Sequence, residues 1–119
     1  MSPRNHEIHD GRMKLVLPAR LVENAEPALT QLDLPVNMML VLLMRKIARD
    51  GRIPEEVMAK DYDALMQGDR CELQLYLPRS IENAARDTIV KAGLNQSRVA
   101  AGCLQAAAEV HGVPFSLNL

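Results

Sequence analysis

Few residues in this chain have the type and spacing that chemistry demands. His6 and His9 form a His-x-x-His pair, but a metal ion needs more ligands and an ordered frame. Residues 1–11 are polar and charged, so this stretch reads as a solvated, flexible N-terminal tail. Cys71 and Cys103 lack Cys-x-x-Cys spacing; they read as reduced thiols, Cys103 as a small buried hydrophobe. His111 falls at the end of an expected helix, where it can assist the terminal carbonyls electrostatically. No Gly-rich phosphate loop, nucleophile elbow or supported carboxylate pair is found. An enzyme is not expected, nor a metal or a cofactor. Two polar stripes remain. Arg12, Lys14 and Val16 alternate with Met13, Leu15 and Leu17, while Glu72, Gln74 and Tyr76 alternate with Leu73, Leu75 and Leu77. Period two marks a half-buried strand, so each stripe is the wet side of one strand.

The elements that hold these stripes must fit into 119 residues. That length suits one compact domain, or two very small units sharing a core. Aromatics are only 3% of the chain, so the core must be aliphatic. The longest apolar run, Met38 to Met44, spans roughly 10 Å as a helix against a hydrocarbon core of ~30 Å. No membrane partner is expected. The N-terminus carries no apolar signal region, and a cytoplasmic location is the expectation. Net charge is −1, so any nucleic-acid contact must use a local patch rather than a global field. Residues 12–54 hold seven bases against four acids, residues 72–114 hold four of each, and the segment between them is acidic.

The chain repeats itself. Met13–Pro18 aligns with Leu73–Pro78 at an offset of 60 residues. Without a gap, Leu21 then falls on Ile81, Ala25 on Ala85, Leu29 on Ile89, Leu34 on Leu94, Ala48 on Ala108 and Pro54 on Pro114. Each copy reads as a strand, a proline able to occupy the first turn of a helix, that helix, a turn and a second helix. Pro27 interrupts the first helix of copy one and should kink it. Gly93 suits a helix C′ position and Asn95 an N-cap. The second helices run over about 36–50 and 96–110. The first is apolar nearly all round from 38 to 44, which predicts burial on most sides. Leu40, Val41, Leu42 and Leu43 correspond to Ala100, Ala101, Gly102 and Cys103; large against small predicts that these helices face each other across one core. In the linker, Met58, Tyr62, Leu65 and Met66 fall on one helical face, predicting one short helix.

The expected fold is therefore mainly α with a short two-stranded antiparallel β-ribbon: four core helices plus a linker helix. Its divisions are a tail (1–11), a first unit (12–54), a linker (55–70) and a second unit (71–119). This arrangement resembles the ribbon-helix-helix fold of the Arc/MetJ superfamily, here as a tandem single-chain pseudo-dimer. The second unit, ELQLYLPRSIENAARDTIVKAGLNQSRVAAGCLQAAAEVHGVPFSL, looks like the N-terminal unit of RelB/DinJ-type antitoxins. The fused layout resembles TraY-like conjugation proteins.

The resemblance implies a partner, double-stranded DNA, with the ribbon in the major groove. The base-contact candidates are then Arg12, Lys14, Val16, Glu72, Gln74 and Tyr76. Arg12 or Lys14 can donate to guanine, Gln74 can bridge adenine, Glu72 can accept from cytosine, and Val16 can pack on a thymine methyl. The family also anchors phosphates at the N-terminus of the second helix. That carries over to Val36 and Asn37 in copy one, and to Asn95, Gln96, Ser97 and Arg98 in copy two. Copy one departs from the pattern, because Pro35 has neither an N–H nor a capping side chain. The implied function is sequence-specific DNA binding, as a transcriptional repressor of a non-palindromic site. A relaxosome accessory protein and an antitoxin-like interaction module are the alternatives. Self-association along DNA and a protein partner at Phe115–Leu119 are further expectations.

Overall fold

In the chain, seen in a computed structural model that describes residues 8–117, the first element is strand β1 (Gly11–Pro18). Helices α1 (Ala19–Thr30) and α2 (Val36–Asp50) follow. A 3-10 turn (Glu55–Val57) and the one-turn helix α3 (Tyr62–Leu65) make up the linker. Strand β2 (Arg70–Leu77) then leads to α4 (Arg79–Lys91) and α5 (Gln96–Val110). The described residues are thus mainly helical, with five α-helices and one two-stranded antiparallel sheet. None of these helices is long and apolar enough to cross a membrane.

Alternation shapes the ribbon. Met13, Leu15 and Leu17 are fully buried, as are Leu75 and Leu77, and Leu73 is half-buried. Pro18 and Pro78 sit one residue earlier than expected, at the N-cap positions of α1 and α4. Neither can cap with a side chain, so each helix takes its first acceptor from a distant part of the chain. The Ala19 N–H donates to the Asp69 carbonyl (2.8 Å), and the Arg79 N–H to Asp10 Oδ1 (2.9 Å). Asp10 belongs to the stretch expected to be a free tail. Helix α1 continues through Pro27, which lies on its exposed side.

The backbone repeats as the side chains do. Helices α2 and α5 each span fifteen residues, 60 positions apart. Left-handed backbone recurs at Asp33 (φ 53°) and Gly93 (φ 79°), and again at Gly51 (φ 70°) and His111 (φ 56°). The strand register pairs Lys14 with Gln74, which are equivalent positions of the repeat. A two-fold relation between the copies would pass through that pair.

Packing crosses between the copies. Helix α1 lies against α5 and α2 against α4; β1 rests on α5 and β2 on α2. One cluster of buried aliphatic residues collects side chains from both copies. Three expectations hold only in part here. Helices α2 and α5 do not lie along one another; α5 packs chiefly on α1 and β1, and its Gly102 receives the linker. A Cβ on Gly102 would stand 2.2 Å from the Val57 carbonyl oxygen, so glycine is what lets the linker backbone touch the helix. That contact draws Val57 inward and leaves Met58 exposed, so the linker folds as two short pieces rather than one helix with Met58 on its buried face. Helix α2 has no such cover. Met39, Leu40, Leu43 and Met44 are fully buried, as the apolar run from 38 to 44 predicted, but Met38 is 49% exposed and Val41 and Leu42 are half-buried.

Candidate nucleic-acid interface

The antiparallel register sets the six stripe residues in three cross-strand pairs: Arg12 with Tyr76, Lys14 with Gln74, and Val16 with Glu72. All six stand on the face of the ribbon away from the helices. Side chains there are linked in a row. The Arg12 guanidinium lies over the Tyr76 ring, 5.8 Å from its centroid. The Tyr76 hydroxyl donates to Gln74 Oε1 (3.1 Å), and Gln74 Nε2 donates to Glu72 Oε2 (3.3 Å). Lys14 Nζ lies 3.4 Å from Glu72 Oε1, with the two side chains 62% and 49% exposed. Such an exposed ion pair is worth about 0–1 kcal/mol. A good bidentate base contact discriminates by about 1–3 kcal/mol. The row therefore holds the side chains upright and exchanges partners at little cost.

The second-helix N-termini flank the ribbon, each tied to a strand. Ser97 Oγ accepts the Val16 N–H (2.9 Å) on one edge, and Asn37 Nδ2 donates to the Gln74 carbonyl (3.1 Å) on the other. Ser97 and Asn37 are equivalent in the repeat. Their side chains satisfy strand-edge groups, a role that sequence reasoning missed; the signal was two polar residues 60 apart at matching positions. Four N–H groups of every helix lack an intrahelical acceptor. At α2 the first intrahelical bond is Met39 to the Pro35 carbonyl, which leaves the N–H groups of Val36, Asn37 and Met38 pointing out of the helix end. At α5, Asn95 Oδ1 accepts the Arg98 N–H (2.9 Å), as the N-cap expectation required. The outward donors there are Gln96 and Ser97. Arg98 is engaged elsewhere. Its guanidinium lies 6.0 Å from the Tyr62 ring centroid and 3.7 Å from Asp63 Oδ1, facing the linker.

The remaining chemistry-bearing residues do not converge on this face. His6 lies outside the described residues, and no group of three or more His, Cys, Asp or Glu side chains suited to a metal occurs among them. Burial, and then the charge of Glu23, push the Cys71 thiol above its ordinary pKa. Cys103 is fully buried and its thiol is pushed up further. Burial disfavours the thiolate that nucleophiles and metal ligands require. His111 closes α5 in the left-handed conformation, and its N–H donates to the Ala107 carbonyl.

Comparison of the chain with protein-family models, with curated proteins and with solved structures gives no match in any of the three.

Proposed function

We propose that this protein is a sequence-specific DNA-binding regulator, a transcriptional repressor that lays its β-ribbon in the major groove. On this reading the fold is a tandem ribbon-helix-helix pseudo-dimer. The observation that carries the proposal is the solvent face of the ribbon. It gathers Arg12, Lys14, Val16, Glu72, Gln74 and Tyr76 in one two-stranded row, flanked on both edges by helix N-termini bonded to the strands. A two-stranded ribbon fits a groove ≈ 12 Å wide. Outward N–H groups at a helix end suit a phosphate through hydrogen bonding and the helix dipole. The row then reads base edges, while the α2 and α5 ends set its depth and register on the backbone.

Selection from randomised duplex DNA, repeated at two salt concentrations, tests this. The expected result is an enriched motif whose affinity falls as salt rises, because phosphate contacts release counterions. No enrichment, together with no retention at low salt, overturns the proposal.

A further inference from the structure

Among the residues on the ribbon's solvent face, Glu72 is the one acid. It occupies the position equivalent to Arg12, 60 residues away, so the repeat reverses the charge at one end of the ribbon. Across the strands Arg12 meets Tyr76, whereas Glu72 meets Val16, whose side chain neither donates nor carries a charge. The described partners of Glu72 lie along the row. Oε1 is 3.4 Å from Lys14 Nζ, and Oε2 accepts from Gln74 Nε2 (3.3 Å). An ionised carboxylate has about four acceptor sites and no donor, so about half of its capacity stays open. The side chain is 49% exposed, and whatever replaces solvent on this face must meet that open capacity.

We infer that Glu72 is a specificity-determining residue that works by exclusion, a role that rests on the ribbon entering the major groove. A negative charge brought between two phosphate backbones is opposed at every sequence. That cost is offset only where a base edge donates. In the major groove the donors are the amino groups of cytosine and adenine, while guanine and thymine present acceptors. A carboxylate pressed against acceptors alone is left desolvated and unpaired. Glu72 therefore requires an amino base on the strand it faces. Arg12 makes the opposite demand at the other end, since a guanidinium only donates and pairs best with guanine O6 and N7. The exposed pair with Lys14 is weak and leaves the carboxylate charge in place. The row sets two cations against that carboxylate, and the whole chain carries −1, so little general attraction to DNA hides the repulsion.

Competition binding on the selected site, with each base pair varied in turn, tests this in wild type, Glu72→Gln and Glu72→Ala. Wild type is expected to prefer cytosine or adenine over guanine or thymine by about tenfold at one position. Glu72→Ala is expected to reduce that preference to about twofold or less and to leave the other positions unchanged. Both variants are expected to bind non-selected duplex about fivefold more tightly at low salt, because one repelling charge is gone. Glu72→Gln keeps the shape of the side chain, so a gain shared by both variants assigns the effect to charge. A loss of affinity on selected and non-selected DNA alike, or an unchanged preference at every position, overturns the inference while leaving the DNA-binding reading intact. If neither wild type nor either variant is retained on DNA at low salt, the DNA-binding reading fails and this inference fails with it.

Discussion

Lys14 and Gln74 face each other at the middle of the ribbon, and each shares a contact with Glu72. Their separate value to recognition is measurable. Lys14→Ala and Gln74→Ala are each expected to weaken binding to a selected site by about 1–3 kcal/mol and to relax the preference at different base pairs. Competition assays with single-base variants of the site read this directly. A uniform loss across all variants would assign the residue to the backbone instead. Asp10 carries a second residue-scale prediction. The Arg79 N–H donated to its carboxylate holds its pKa below the ordinary value, with the nearby Arg79 charge adding to the effect. Folding therefore favours the charged form. The contribution is present above the unfolded pKa of about 4 and is lost as pH falls through the depressed native value. Asp10→Asn is expected to flatten the stability–pH curve below about pH 4, as followed by urea midpoints. An unchanged acid limb would show that the α4 cap is energetically silent.

At the scale of elements, helix α5 is defined by what its small face admits. Gly102→Ala places a Cβ 2.2 Å from the Val57 carbonyl. Backbone cannot yield as a flexible side chain does, so the linker must lift away. A loss of roughly 1–3 kcal/mol is expected, which for a chain of 119 residues lowers the melting temperature by about 3–5 °C per kcal/mol. The ends of the second helices make the opposite case. Gly51 and His111 both adopt left-handed backbone, and only the first is free of a Cβ penalty. His111→Gly is expected to stabilise the protein by about 0.5–1 kcal/mol, seen as a raised melting temperature; no gain would mean that the His111 side chain offsets its backbone cost. The repeat made both positions visible in the sequence, since His111 aligns with Gly51. It did not reveal that Gly102 serves the linker. Large-against-small composition is compatible with several facing elements, and only the path of the chain after Pro54 selects among them.

For the whole molecule, the crossed packing matters most. Each first helix rests on the second helix of the other copy, and β1 rests on α5. The two copies therefore form one body whose ribbon cannot form without both. Its two strands are not alike. One presents Arg12, Lys14 and Val16, the other Glu72, Gln74 and Tyr76, around a central pair where a homodimer would carry two identical residues. The proposed DNA site should therefore lack dyad symmetry. Replacing one half of a selected site with the reverse complement of the other, which makes the site palindromic, is expected to cost binding of the order of a mismatch at each altered base pair, ~1–3 kcal/mol each, whereas a symmetric reader would tolerate it. Mobility-shift titrations over both palindromic variants decide the matter.

Local order was legible in the sequence because it depends on short-range rules. Period-two alternation placed the ribbon, helical spacing placed the four long helices, and a gapless offset of 60 residues showed that the chain contains its unit twice. Burial of one face leaves the other in solvent, so the six stripe residues could be named from alternation and the resemblance together. Tertiary structure decided what depends on residues distant in sequence. It tied Asn37 and Ser97 to strand edges and brought Asp10 to the start of α4. It turned Arg98 toward Tyr62, and it covered the α5/α1 surface with the linker while leaving Leu42 and Met38 on α2 in partial contact with solvent. The reason is the same throughout. A pattern along the chain records which side of an element avoids water, whereas which element provides the shelter is fixed only when the whole core closes.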